Sequence, residues 1–181
     1  MKVKVRKDQK VTTWSGGTTT ELLIYPDGAN VAEKNFDFRI STANVLVENS
    51  EFTFFPGYHR KLAILEGKLK VKHNEVDWLV VYENEQIDFE GDWKTVSEGK
   101  VVDFNVIYSR YYKVEMDFVV DLIEKELVVE NEILAYYCVK GSGVINDVLF
   151  DEGSFIQVDE PIINYNKLED CLFVKVLICK L

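Results

Sequence analysis

The chain has 181 residues, 47% of them hydrophobic and 13% aromatic, with a formal net charge of -10. That length and apolar share fit one large β domain or two small half-barrels and exclude a disordered chain, while the acidic charge repels phosphate backbones and argues against nucleic acid as a partner. No apolar run approaches the length of a membrane span, and the charged stretch 1–11 lacks the apolar core of a signal peptide, so no membrane contact and a cytoplasmic location are expected.

In chain order, apolar residues recur with period two or in short runs, the strand signature. Stretch 1–11 alternates, with Val3 and Val5 opposite Lys2, Lys4 and Arg6. A short run at 21–25 follows, then an alternation over 36–47 that puts Arg39, Ser41, Ala43 and Val45 on one face and Phe38, Ile40, Thr42 and Asn44 on the other. Strands are expected at 61–65 and 68–71 with Glu66-Gly67 as a turn between them, and at 77–82, 101–108, 136–139, 154–158 and 172–181. Pro26-Asp27-Gly28, Pro56-Gly57, Glu90-Gly91-Asp92, Gly141-Ser142-Gly143 and Glu152-Gly153 punctuate them, as turn chemistry requires. The stretch 121–134 fits a strand pair or one short helix. Many short strands with regular turns indicate an all-β barrel or sandwich. A faint repeat, Leu62–Val71 against Tyr136–Ile145, reads as strand, turn and returning strand in both places. Cys138, Cys171 and Cys179 lie in apolar runs without a C-x-x-C pair, which reads as buried free thiols.

Four segments carry a resemblance. Trp14-Ser15-Gly16-Gly17-Thr18-Thr19-Thr20-Glu21 is similar to W-x-G-G-x-T-x-E, and Phe36-Asp37-Phe38-Arg39-Ile40-Ser41-Thr42-Ala43 to F-x-W-R-x-S-x-A, with Phe38 in place of Trp. Phe52-Thr53-Phe54-Phe55-Pro56-Gly57-Tyr58-His59-Arg60, followed by Leu65-Glu66-Gly67, is similar to F-S-x-F-P-G-x-x-R with L-x-G downstream. Phe89-Glu90-Gly91-Asp92 and Asp103-Phe104-Asn105 are similar to F-x-G-D and D-x-N. In this order over 11–110, the set resembles the HutD/Ves family; residues 111–181 carry no sharp motif. The resemblance implies a double-stranded β-helix of cupin type in two barrels, about 1–110 and 111–181, packed in one compact unit, or one fused domain with strand exchange. It also implies a loose link to histidine utilisation and a small acidic metabolite, such as formate or an N-formylated amino acid, as ligand.

The residues themselves suggest where such a ligand would sit. Arg39 shares its face with small Ser41 and Ala43, which leaves room above a guanidinium whose fork matches a carboxylate; the alternative is an ordinary surface or salt-bridging arginine. Arg60 follows a Pro-Gly turn that can aim an early strand residue into a barrel mouth. Asp103 and Asn105 share a face inside an apolar strand and must find partners or meet solvent. Asp103 could pair with an arginine, and Asn105 could bond a formyl or amide group. Glu21 could hold an arginine. The expected ligand-binding set is therefore Arg39, Arg60, Glu21, Ser41, Asp103 and Asn105.

The Gly16-Gly17 stretch lacks the Lys-Ser/Thr end of a phosphate loop. With only His59 and His73, a three-histidine metal site is impossible within the chain, and neither metal nor cofactor is expected. The leading expectation is a regulatory protein that binds a small anionic metabolite, with homodimerisation left open. The alternatives are a metal-independent cupin isomerase or hydrolase, and an interaction module with an empty barrel.

Overall fold

The computed structural model describes residues 2–122, 132–159, 162 and 164–181. Its strands are β1 (Lys2–Lys4), β2 (Lys10–Trp14), β3 (Gly17–Tyr25), β4 (Phe38–Val45), β5 (Asn49–Glu51), β6 (Tyr58–His73), β7 (Leu79–Tyr82), β8 (Gln86–Glu90), β9 (Thr95–Glu98), β10 (Val101–Ser109), β11 (Tyr112–Val119), β12 (Glu132–Lys140), β13 (Gly143–Ile145), β14 (Val148–Phe150), β15 (Phe155–Val158), β16 (Tyr165–Lys167) and β17 (Leu172–Lys180). Among the described residues the helical element is a 3-10 turn at Arg6–Asp8, and no helix is long and apolar enough to cross a membrane. The ambiguous stretch 121–134 lies mostly outside the described residues; its end, from Glu132, opens β12.

The chain divides into two compact units, Lys10–Arg110 and Met1–Gln9 with Tyr111–Leu181. Residues 1–9 thus leave the 1–110 unit expected from sequence, because β1 pairs antiparallel with β15, Val3 opposite Ile156. In the second unit a five-stranded sheet, β1-β15-β12-β17-β11, accompanies a three-stranded one, β14-β13-β16. Leu134, Tyr136, Ile156 and Phe173 of the larger sheet cluster with Ile145 and Phe150 of the smaller, each such side chain contributing about 1.5–3 kcal/mol on burial. Cys138 and Cys171 are buried and Cys179 is half-buried, all as free thiols. Burial pushes the Cys138 thiol up to about 12 and raises the Cys179 thiol too; Cys179 is the more accessible, so alkylation of the folded protein should mark it first. Peptide mapping after brief iodoacetamide exposure checks that order, and prior labelling of Cys138 would contradict it.

The first unit is one curled sheet, β2-β3-β4-β10-β6-β9-β5, with β7 and β8 also on β6. The expected turn at Glu66-Gly67 is absent, since β6 runs through it. Ile64 pairs with Asp103 but Glu66 with Val102, so Leu65 is an extra residue, and Gly67 has a φ of +91°. A bulge with a glycine in the left-handed region bends a strand without ending it. The first half of β6 pairs with β10 and β8 and the second half with β7 and β9. The proposed repeat is therefore unequal: at Tyr136–Ile145 the chain does break, β12 ending at Lys140 before β13 begins.

Candidate functional site

The alternation read from sequence sets the inner face of the first unit. On β3, β4, β10 and β6 the register aligns Thr19, Ala43 and Asp103; Glu21, Ser41 and Asn105; and Arg39, Ile107 and Arg60. These residues are two apart along each strand, so their side chains leave the sheet on one side. The intervening Leu22, Phe38, Ile40, Phe104 and Val106 are fully buried on the other. The inner side opens into a cavity of about 620 Å3, and all six expected residues, Glu21, Arg39, Ser41, Arg60, Asp103 and Asn105, line it.

The two arginines are held differently. Arg39 Nε donates to Glu21 Oε2 and Nη1 to Ser41 Oγ, each at 3.0 Å. This pair is partly open, with side-chain exposures of 12% and 22%. Arg60 is only 5% exposed. Its guanidinium lies over the rings of Phe52, Phe89 and Phe55 at 4.7, 5.1 and 5.9 Å, and Nη1 donates to the Thr53 carbonyl at 3.3 Å. Such an aromatic cage favours a cation through its ring faces and fixes its orientation. Arg60 Nε and Asn105 Oδ1 are buried without a hydrogen-bond partner among the described residues.

Burial governs the protonation of the central groups. It lowers the Arg60 guanidinium to about 10, with Asp103 resisting and Arg39 reinforcing the shift. It raises the Asp103 carboxyl to about 7, outweighing the pull of Arg60, of the Ala43 backbone N–H and of Arg39. Loss of solvation thus exceeds the attraction between Arg60 and Asp103, the usual balance for a buried pair.

The sequence reading missed the cage and the rim. Phe52 and Phe55 stand inside a quoted motif, but their role follows only once β6 brings Arg60 beneath them. Lys10 also lines the cavity, opposite Glu21 in the β2–β3 pairing. Counting back from the two-residue turn at Ser15-Gly16 would have found it. Neither histidine lines the cavity. His59 Nδ1 bonds the Glu90 carboxylate at 2.9 Å, and His73 Nδ1 bonds Thr95 Oγ1 at 2.8 Å with its ring against Phe89 and Trp93. Among the described residues no group of three or more His, Cys, Asp or Glu side chains is placed to hold a metal ion.

The HutD family model matches residues 6–161. A conserved protein of unknown function, PA5104 from Pseudomonas aeruginosa PAO1, is similar with a TM-score of 0.77 and 19% identity over 99% of this chain and 98% of that one. HutD from Pseudomonas fluorescens SBW25, in a formate condition, gives 0.74 and 21% over 98% and 96%. A bacterial pirin from Escherichia coli, YhhW in complex with nickel(II), gives 0.66 and 8% over 99% and 98%. At these identities the likeness is one of fold, all-β and cupin-like. No curated protein sequence matches the chain.

Proposed function

Because the chain belongs to the HutD family, we propose that its first unit binds a small carboxylate, or an N-formyl amino acid, in a regulatory role linked to histidine utilisation. This reading takes the two units as a pair of cupin-like barrels, the first carrying the site. The observation that carries it is that two residues lining one cavity, Arg60 and Asn105, each bury an atom, Nε and Oδ1, that has no hydrogen-bond partner among the described residues. An unmet buried polar group costs about 1–3 kcal/mol. A carboxylate supplies the acceptor that Arg60 lacks, and the N–H of an acylated amine supplies the donor that Asn105 lacks. Arg39, at the more open side, completes a two-arginine recognition of the anion.

Isothermal titration with formate and with N-formylglycine tests this. Saturable one-to-one binding is expected. Arg39→Ala should weaken it by about 2–5 kcal/mol, the range for removing one partner of a buried charge pair, and should leave the fold standing because the Arg39–Glu21 pair is partly solvated. Unchanged affinity in Arg39→Ala and Arg60→Ala at low salt would refute the site. A second reading, a metal-independent isomerase or hydrolase, draws on Asp103, whose raised carboxyl suits proton transfer near neutrality. Turnover of the bound compound, followed by NMR, separates it from simple binding.

A further inference from the structure

Among the described residues the cavity wall holds equal numbers of opposite charges. Lys10, Arg39 and Arg60 face Glu21, Glu51 and Asp103. These groups are not equally buried. Glu51 is exposed at the edge strand β5, Lys10 is exposed on β2, and Glu21 is committed to Arg39. Asp103 alone among the carboxylates is deep, 5% exposed, between Ala43 of β4 and Ile64 of β6. An anion entering the arginine site adds a negative charge next to it, where solvent cannot screen the repulsion.

We propose that anion capture in this cavity is proton-coupled: a carboxylate that takes the Arg39/Arg60 site displaces the charge of Asp103, which binds one proton from solvent as the anion enters. This rests on the reading of the cavity as a carboxylate site and adds its regulation. The balance is simple. Anion, ionised Asp103 and one proton from water or buffer give the bound anion beside a neutral Asp103, so the net charge of the site is unchanged. The neutral carboxyl gains an O–H donor, which can serve the bound carboxylate. Two carboxylates sharing a confined site hold one proton between them for the same reason.

The empty-state balance is favourable for this. Burial already holds the Asp103 carboxyl near neutrality, at about 7 against the pull of Arg60 and Arg39, so little further push completes the protonation. Other titrating groups are accounted for. Among the described residues, Glu21, Glu51, Lys10 and the two arginines are the other charged side chains on the cavity wall, from β3, β5, β2, β4 and β6. His73 touches Phe89 of the Arg60 cage, and both burial and Arg60 lower it below its ordinary value, so it is neutral where Asp103 ionises.

Titration of the wild-type protein with N-formylglycine at pH 8, in buffers of different ionisation enthalpy, reads the proton directly. Uptake approaching one proton per anion is expected, with affinity falling nearly tenfold per pH unit above 7. Asp103→Asn should bind with affinity that is flat between pH 6 and 8.5, and His73→Gln should keep the wild-type slope. Saturable binding with no proton uptake and no pH slope would overturn the coupling while leaving the carboxylate site intact. Absence of binding at every pH from 6 to 8.5 would overturn both. The wild-type measurement decides the matter even if Asp103→Asn fails to fold.

Discussion

Arg60→Ala should lose measurable binding of N-formylglycine and should destabilise the protein by about 3–5 kcal/mol at pH 8.5, the cost of removing one partner of a buried ion pair. Two losses combine. The rings of Phe52, Phe55 and Phe89 lose the guanidinium they enclose, and Asp103 keeps its burial without its main cation. The second loss depends on pH, and its sign is fixed. The folded-state carboxyl of Asp103 already lies above its ordinary value of 3.8, at about 7, so the folded protein binds this proton more readily than the unfolded chain, and ionisation weakens folding as pH rises from about 4 through 7. Without Arg60 the folded value rises further. The stability gap between variant and wild type should therefore narrow on going from pH 8.5 to 6, as the isolated carboxyl becomes neutral in both. Urea unfolding at the two pH values measures it. A gap that stays constant or widens on acidification would show that Arg60 acts through packing alone.

The inner face was legible because it needs only period two and one register. Arg39, Ser41 and Ala43 share a face by spacing, as do Asp103 and Asn105, and β4 lies beside β10 with Ser41 opposite Asn105. The long β6 was not legible. Glu66-Gly67 has the composition of a hairpin turn, and what decides between turn and bulge is the partner strand: Gly67 lies against Val101, its hypothetical Cβ 2.9 Å from the Lys100 carbonyl oxygen. That contact is between residues distant in sequence. The aromatic cage escaped for the same reason, since Phe52, Phe55 and Phe89 converge on Arg60 only after β8 pairs with β6, Phe89 opposite Arg60. Strand β11, Tyr112–Val119, went unassigned although its buried residues alternate cleanly; charged residues at every second position, Lys113, Glu115 and Asp117, masked a pattern that the period itself carried. The place of β1 beside β15 is a pairing across more than 150 residues, which no local rule reaches.

Gly91→Ala should damage binding through the cavity wall rather than through charge. Gly91 N–H donates to the Tyr58 carbonyl at 2.7 Å, and Phe55 N–H donates to the Gly91 carbonyl at 2.7 Å. These two bonds pin the 52–58 segment, which brings Phe52, Thr53 and Phe55 to the cavity. A Cβ on Gly91 would collide with the Phe55 carbonyl oxygen and lie 2.9 Å from that of Tyr58 and 3.1 Å from Phe55 Cβ. The two nearest atoms are backbone, so neither can move aside as a side-chain end could, and the segment must shift at the expense of its hydrogen bonds. Overpacking of this kind costs about 1–3 kcal/mol, and each strained bond adds up to about 1 kcal/mol. The larger effect falls on the site. Phe55 and Phe52 cover Arg60, and the Thr53 carbonyl accepts from its Nη1, so a displaced segment frees the guanidinium and admits water beside it. A protein folded at 20 °C but binding N-formylglycine at least tenfold more weakly is therefore expected, with the loss persisting under conditions where urea unfolding shows the variant fully native. Wild-type affinity in a fully folded Gly91→Ala would mean that the position of the 52–58 segment is immaterial to the site, and that Arg60 needs no cage to bind.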